Sequence, residues 1–226
     1  MSRLMLVLAL VAGCDSKTSS TPAATPPSAK VVAAVPADAA RVPIDAAADV
    51  TVQTGALDFE LVTHAGTYTL RDAAYELTFS AEPQVTEDKE AAPDGTKLKT
   101  LSAMVSIGEA DAYGLFMVPI PKNVPYNIEQ GMRAARDGAF TNAGVKMVSD
   151  VAVTVGGIPG RKATAKGVMS GINVTLELRI AFDKSHHTLI GLVGITGSKE
   201  FPAATNAFLA SLQIKPGEAP PAGDGT

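Results

Sequence analysis

Val174-Thr175-Leu176-Glu177-Leu178-Arg179-Ile180-Ala181-Phe182-Asp183 decides the class of this fold. Val174, Leu176, Leu178, Ile180 and Phe182 alternate with Thr175, Glu177, Arg179, Ala181 and Asp183. Successive side chains on a strand point to opposite faces, so this alternation describes a strand with one buried and one wet face. The same period of two appears in Val151, Val153 and Val155, in Tyr75, Leu77 and Phe79, and in Leu101, Ala103, Val105 and Ile107. Tyr113 to Ile120 is apolar on both faces, and His187 to Thr196 is apolar throughout, which places the latter at the centre of a sheet.

The breaks between these runs carry turn chemistry. Pro93-Asp94-Gly95, Gly156-Gly157-Ile158-Pro159-Gly160 and Ser170-Gly171 fall where hairpins would reverse. Such short connections imply antiparallel pairing. Two stretches follow helical spacing instead. Asn127 with Gln130 three residues on makes a capping-box-like start, and Ile128, Met132, Ala135 and Ala139 share one face with Arg133 and Arg136 outside. Gly144 is placed to end that helix. A second helix is expected from a Ser198 cap, with Phe201, Ala204, Thr205, Phe208, Leu209 and Leu212 as its buried stripe and Pro216-Gly217 as its stop. Strands, helix, strands and a terminal helix make an α+β domain: an antiparallel sheet flanked by two main helices.

That order of elements resembles the PsbP-like family. The resemblance rests on an opening strand AYELTFSAEPQV, a mid-domain helix, the stretch VKMVSDVAVTVGGIPGRKATA, a long strand pair, and a closing FLASLQI before a proline. It covers about residues 65–216. It implies a binding or assembly module without a catalytic centre, a fold shared by many small exported bacterial lipoproteins.

The amino terminus points to export as well. Arg3 precedes an unbroken apolar stretch from Leu4 to Ala12, too short for a permanent membrane span, which needs about 20 residues. It ends in Val11-Ala12-Gly13-Cys14, which resembles the lipobox of bacterial lipoproteins. Residues 1–13 then read as a signal peptide cleaved between Gly13 and Cys14, and Cys14 as the lipidated first residue of the mature chain. Residues 14–56 are rich in Ala, Pro, Ser and Thr, with prolines at 22, 26, 27, 36 and 43 and no sustained periodicity. They read as a disordered tether with a reach on the order of 35–40 Å. The globular domain is expected over 57–216, and 217–226 as a disordered tail. These features place the protein in the cell envelope, lipid-anchored to the inner or outer membrane with its domain facing the periplasm. Asp15 resembles the inner-membrane retention residue of enteric lipoproteins.

Composition narrows the partners. The net charge of −4, the pI near 5.4 and the absence of Trp count against nucleic acid. No run of Lys and Arg marks a polybasic membrane patch. Cys14 is the only cysteine, so a lipidated chain has no thiolate metal site and no disulfide. No cofactor is expected.

Few residues carry the types or spacing that chemistry needs. Asp183 with His186 and His187 is the weak metal candidate, although adjacent strand residues point to opposite faces unless a turn bends them together. Gly167-Val168-Met169-Ser170-Gly171 has the wrong spacing for a nucleophile elbow. Gly156-Gly157-Ile158-Pro159-Gly160-Arg161-Lys162 lacks the ending of a phosphate loop. Glu82, Glu87, Asp88, Glu90 and Asp94 read as a solvated loop, and His64 as a surface histidine. Tyr113, Leu115, Phe116 and Met117 lie in a buried strand that could also rim an apolar groove for an envelope protein partner. The leading reading is a membrane-tethered, non-catalytic binding or assembly module. An envelope hydrolase with scattered acids and bases, and a passive structural or stress lipoprotein, stand as alternatives.

Overall fold

The computed structural model describes residues 50–53, 59–91, 97–122 and 125–215. The signal peptide, Gly13, Cys14, most of the expected tether, Pro93-Asp94-Gly95 and the 217–226 tail lie outside the described residues. The first half of the chain runs through β1 (Val50–Gln53), β2 (Glu60–His64), β3 (Thr67–Arg71), β4 (Tyr75–Phe79), β5 (Gln84–Ala91), β6 (Lys97–Ser106) and β7 (Ala112–Pro119). The second half has α1 (Ile128–Asn142), β8 (Val145–Val155), β9 (Ile158–Met169), β10 (Ile172–Asp183), β11 (Thr188–Thr196), α2 (Ala203–Leu209) and β12 (Gln213–Ile214).

Two antiparallel sheets result, a smaller one in the order β1-β2-β3-β4-β12 and a larger one in the order β5-β6-β7-β11-β10-β9-β8. The larger sheet joins two meanders, one built from β5 to β7 and the other from β8 to β11. α1 carries the chain from β7 to the outer strand β8, and the meander then returns inward until β11 pairs with β7. As the unbroken apolarity of His187 to Thr196 requires, β11 is central, and every residue in it is buried.

The middle of the larger sheet is covered on both faces. On the sandwich face, Leu101, Ala103, Tyr113, Leu115, Met117, Ile190 and Leu192 pack against Leu70, Leu77 and Phe79 of the smaller sheet and against Phe208 and Leu209 of α2. On the helix face, Phe116, Val118, Leu176, Leu178, Ile180 and Val193 pack against Ala135, Ala139 and Phe140 of α1. The single wet face expected for residues 174–183 is therefore corrected. Ala181 and Asp183, on the supposedly wet side, are buried because the smaller sheet covers their end of β10.

Local chemistry sets the element ends. Asn127 caps α1 by accepting the Gln130 amide at 3.1 Å, the expected start, and such a cap contributes about 1 kcal/mol. The β8–β9 turn at Gly156-Gly157 has φ of +57° and +87°, a conformation that favours glycine. Other expectations need correction. Val50–Gln53, assigned to the tether, forms β1 and pairs with β2, as its Val-Thr-Val alternation permits. Glu87, Asp88 and Glu90 lie in β5, an edge strand paired with β6, and not in a loop. α2 starts at Ala203 because Pro202 keeps the preceding residue out of the helical region; Ser198 instead donates its amide to Thr196 Oγ1. Arg136 turns inward from α1 to Asp150, with only 12% of its side chain exposed.

Candidate functional site

The β10–β11 hairpin gathers the titratable residues singled out in the sequence. Asp183 ends β10, and its Oδ1 accepts the Ser185 amide at 2.8 Å, which starts the turn. Its Oδ2 accepts the Tyr75 hydroxyl at 3.0 Å and lies 2.6 Å from His186 Nδ1. An ionised carboxylate only accepts, so this contact places the imidazole proton on Nδ1. The Tyr75 and His186 rings meet edge to face with centroids 5.4 Å apart. Burial works to raise the Asp183 carboxyl, but the bonds from His186, the Ser185 amide and Tyr75 outweigh it and hold it below the ordinary carboxylate range. Burial also pushes the Tyr75 hydroxyl well above its usual range. Asp72, whose carboxylate accepts the Ala74 and Tyr75 amides, is raised by burial against the opposing influence of those bonds, His186 and Lys215.

His187 goes elsewhere. It sits in the left-handed region at φ +54°, with Nδ1 2.6 Å from the Ile120 carbonyl and its ring edge-on to Phe182. The structure thus brings Asp183 and His186 together and leaves His187 on another wall of the hairpin. Among the described residues no group of three or more His, Cys, Asp or Glu gathers to hold a metal ion. What the Asp183–His186–Tyr75 cluster does is join the tip of the larger sheet to β4 of the smaller one.

The groove expected at Tyr113, Leu115, Phe116 and Met117 is corrected. These residues are 0%, 1%, 3% and 1% exposed, because β7 sits between β6 and β11 with both faces covered. Tyr113 reaches Ser80 with its hydroxyl and packs its ring on Phe79 and Phe208. Phe116 faces the opposite way and lies over Gly191, where a Cβ would come within 2.1 Å of the ring.

The surface that stands open is one that no linear motif marks. The smaller sheet reaches β8 only at its far end, around Val153 and Val155. Below that point the sandwich face of β8 and β9 is uncovered among the described residues, whereas on β10 Glu177 is buried and Arg179 folds against the end of α2. Register fixes which side chains share it: Lys146 opposite Lys166 and Thr175, Ser149 opposite Thr164 and Glu177, Val151 opposite Lys162 and Arg179, and Val168 opposite Asn173. The 2.6 Å contact between the Ser149 and Thr164 hydroxyls confirms the shared side. Arg179 is engaged, donating to Glu177 at 2.8 Å and to the Leu209 carbonyl at the end of α2. Lys166, Val168, Asn173, Thr175, Ser198 and Lys199 bound an open concavity of about 530 Å³ on this face. Val151 of β8 and Val168 of β9 are 47% and 58% exposed on this face, while Met147, opposite Ala165, faces the helix side. Lys162 and Lys166 lie four residues apart on a strand, so period two places them on one face; that is the signal a search for consecutive basic residues passes over.

No protein-family model matches this chain, and neither does any curated protein. Among solved structures the chain is similar to the crystal structure of LpqN, involved in cell envelope biogenesis of Mycobacterium tuberculosis. The identity is 14% and the TM-score 0.40, over 76% of this chain and 93% of that one. The site described above rests on this chain's own geometry.

Proposed function

We propose that the protein is a lipoprotein of the bacterial cell envelope, anchored through Cys14, whose domain is a binding or assembly module that acts through a surface and not through a reaction. The lipobox-like Val11-Ala12-Gly13-Cys14 and the apolar stretch before it support the anchor. The α+β order of elements, which resembles PsbP-like domains although no family model matches, supports the module. The observation that carries the binding reading is the uncovered face of β8 and β9. The central strands β7 and β11 are closed on both sides, while here exposed valines lie beside lysines from separate strands. Exposed apolar side chains rimmed by polar ones mark contact surfaces.

The test compares crosslinked envelopes holding the wild type, a Cys14→Ala form and a Val151→Asp/Val168→Asp form. The wild type is expected in the membrane fraction with an acyl mass increment on Cys14, and with partners that both variants lose. Partners retained by the Val151→Asp/Val168→Asp form would remove the face from the proposal. An unmodified Cys14 would remove the anchor.

A further inference from the structure

The ligand class of the uncovered face can be read from its charges. Lys146 lies directly opposite Lys166, and Lys162 directly opposite Arg179. Like charges at opposed positions of an antiparallel pair repel. The second pair is relieved, because Glu177 and the Leu209 carbonyl take the Arg179 guanidinium. The first pair is not. Among the described residues, none of Lys146, Lys162, Lys166 and Lys199 has a side-chain ion-pair or hydrogen-bond partner. The acids nearest to them are committed or local: Glu177 to Arg179, Asp111 to Thr196 and the Gly197 amide, with Glu200 beside Lys199 in the chain. A chain of net charge −4 therefore concentrates three lysines on one sheet face, with Lys199 at its margin, without matching carboxylates.

We infer that this face docks on an anionic phospholipid bilayer, with the lysines against head-group phosphates and Val151 and Val168 against the interface. The inference rests on the envelope reading of the previous subsection and names the ligand of the same face. Three features favour a bilayer over an enclosed anion. Lys166 and Lys199 share the concavity, but Lys146 and Lys162 lie outside its lining, so the four do not converge on one point. Lysine presents a hydrated point charge and suits a diffuse layer of phosphates better than bidentate recognition. The exposed valines sit between the charges, where an apolar contact beneath the head groups adds to the electrostatic one. The proposed anchor at Cys14 would keep the bilayer within the protein's neighbourhood, raising the effective concentration of the second contact. Asp150, on the same outer strand, does not oppose this arrangement. Its carboxylate turns to the helix face, where Arg136 and Arg161 hold it.

The experiment uses the mature chain, residues 14–226, with Cys14→Ala, so that neither an attached lipid nor the apolar stretch Leu4 to Ala12 contributes to binding. It is floated with phosphatidylcholine vesicles, with and without phosphatidylglycerol. Binding is expected only with phosphatidylglycerol, falling as salt rises. Lys146→Glu/Lys166→Glu is expected to weaken it at least tenfold. Lys99→Glu/Lys122→Glu, with the same charge change elsewhere, is expected to keep it. Lys146→Gln/Lys166→Gln repeats the loss without reversed charge, and matching thermal melts show that each variant folds. No binding to phosphatidylglycerol vesicles overturns the inference, as do binding to soluble polyphosphate alone, an equal loss in the control pair, or no loss in the face pair. If vesicle binding fails while the crosslinked partners still depend on Val151 and Val168, the module reading stands and only its lipid ligand falls.

Discussion

Tyr75 on β4 donates its hydroxyl to Asp183 on β10, 3.0 Å away and 108 residues along the chain, and so ties the smaller sheet to the tip of the larger one. Asp183 is the shared acceptor, and Tyr75 and His186 are its two side-chain donors. Tyr75→Phe removes one donor while leaving the ring in place, so a loss of about 1 kcal/mol is expected. Asp183→Ala strands the Tyr75 hydroxyl and the turn amide together, and a larger loss of roughly 2–3 kcal/mol is expected. Urea denaturation of both variants checks the order. Equal losses would show that the carboxylate does not link the sheets.

The same carboxylate sets part of the response to acid. Asp183 and Asp150 are held below their ordinary range by their partners, in each case against a burial effect that acts upward. A folded-state value lower than the unfolded one gives stability that is fully present above about pH 4 and is lost as pH falls through the folded value. Asp72 has the opposite sign, because burial raises it and its protonation in acid favours the fold. The melting temperature is expected to drop below about pH 4, where protonation releases the bonds that Asp183 and Asp150 accept. Asp183→Asn is expected to start lower at pH 7 and to fall less steeply there. Thermal melts from pH 7 to pH 2.5 check this, and an unchanged slope in the variant would exclude Asp183 as a source.

Asp150 is the junction of α1 with β8 and β9, since its two oxygens take Arg136 and Arg161. Removing the acid leaves Arg161 without its partner and Arg136 with only Asp137, whereas removing either arginine leaves the carboxylate with one partner. Asp150→Ala is therefore expected to cost more than Arg136→Ala or Arg161→Ala, at roughly 1–3 kcal/mol against about 1. A double-mutant cycle on Arg136 and Asp150 should return a coupling of at least about 0.5 kcal/mol. Additivity would mean that the helix is held to the sheet by apolar packing alone.

α2 packs onto β11 at a position that admits no side chain. A Cβ on Gly194 would lie 2.7 Å from Thr205 Cγ2, and the other close contact is with Leu209. Gly194→Val is expected to lift the helix and destabilise the domain by roughly 1–3 kcal/mol. Phe208 on the same helix, with its ring centroid 4.9 Å from both Phe79 and Tyr113, should cost roughly 3–5 kcal/mol as Phe208→Ala. Met147→Ala, on the open edge, should stay within about 0.5 kcal/mol. Chemical denaturation of the three variants checks the contrast between core and edge.

Strands were legible where burial is one-sided or complete. Tyr75, Leu77 and Phe79 alternate and are buried in that pattern, and β11 is as central as its apolarity implies. Legibility fails where a tertiary partner changes the meaning of a residue. Ala181 and Asp183 look like a wet face until the smaller sheet covers them. Arg136 looks like the outside of a helix until Asp150 arrives from β8. Of the site, His186 and Asp183 could be paired from their spacing, but Tyr75 could not, because nothing local connects residue 75 with residue 183. The lysine face was hidden for the same reason, since its members come from β8, β9 and the loop before α2.

The two meanders of the larger sheet have a consequence for how the molecule comes together. Within each, every strand pairs with a near neighbour in sequence. Between them, the β7–β11 register, eight residue pairs running from Ala112↔Ile195 to Pro119↔Thr188, is the long-range closure, with β4–β12 as its counterpart in the smaller sheet. Local hairpins form before distant ends meet, because closing a long loop costs entropy that only the finished contact offsets. Folding should therefore resemble the shutting of a clasp. Two preassembled halves, parted at the β7–α1 connection, wait on one late seam. A chain cut at that connection should still yield two fragments that recognise each other and rebuild the sandwich core between them.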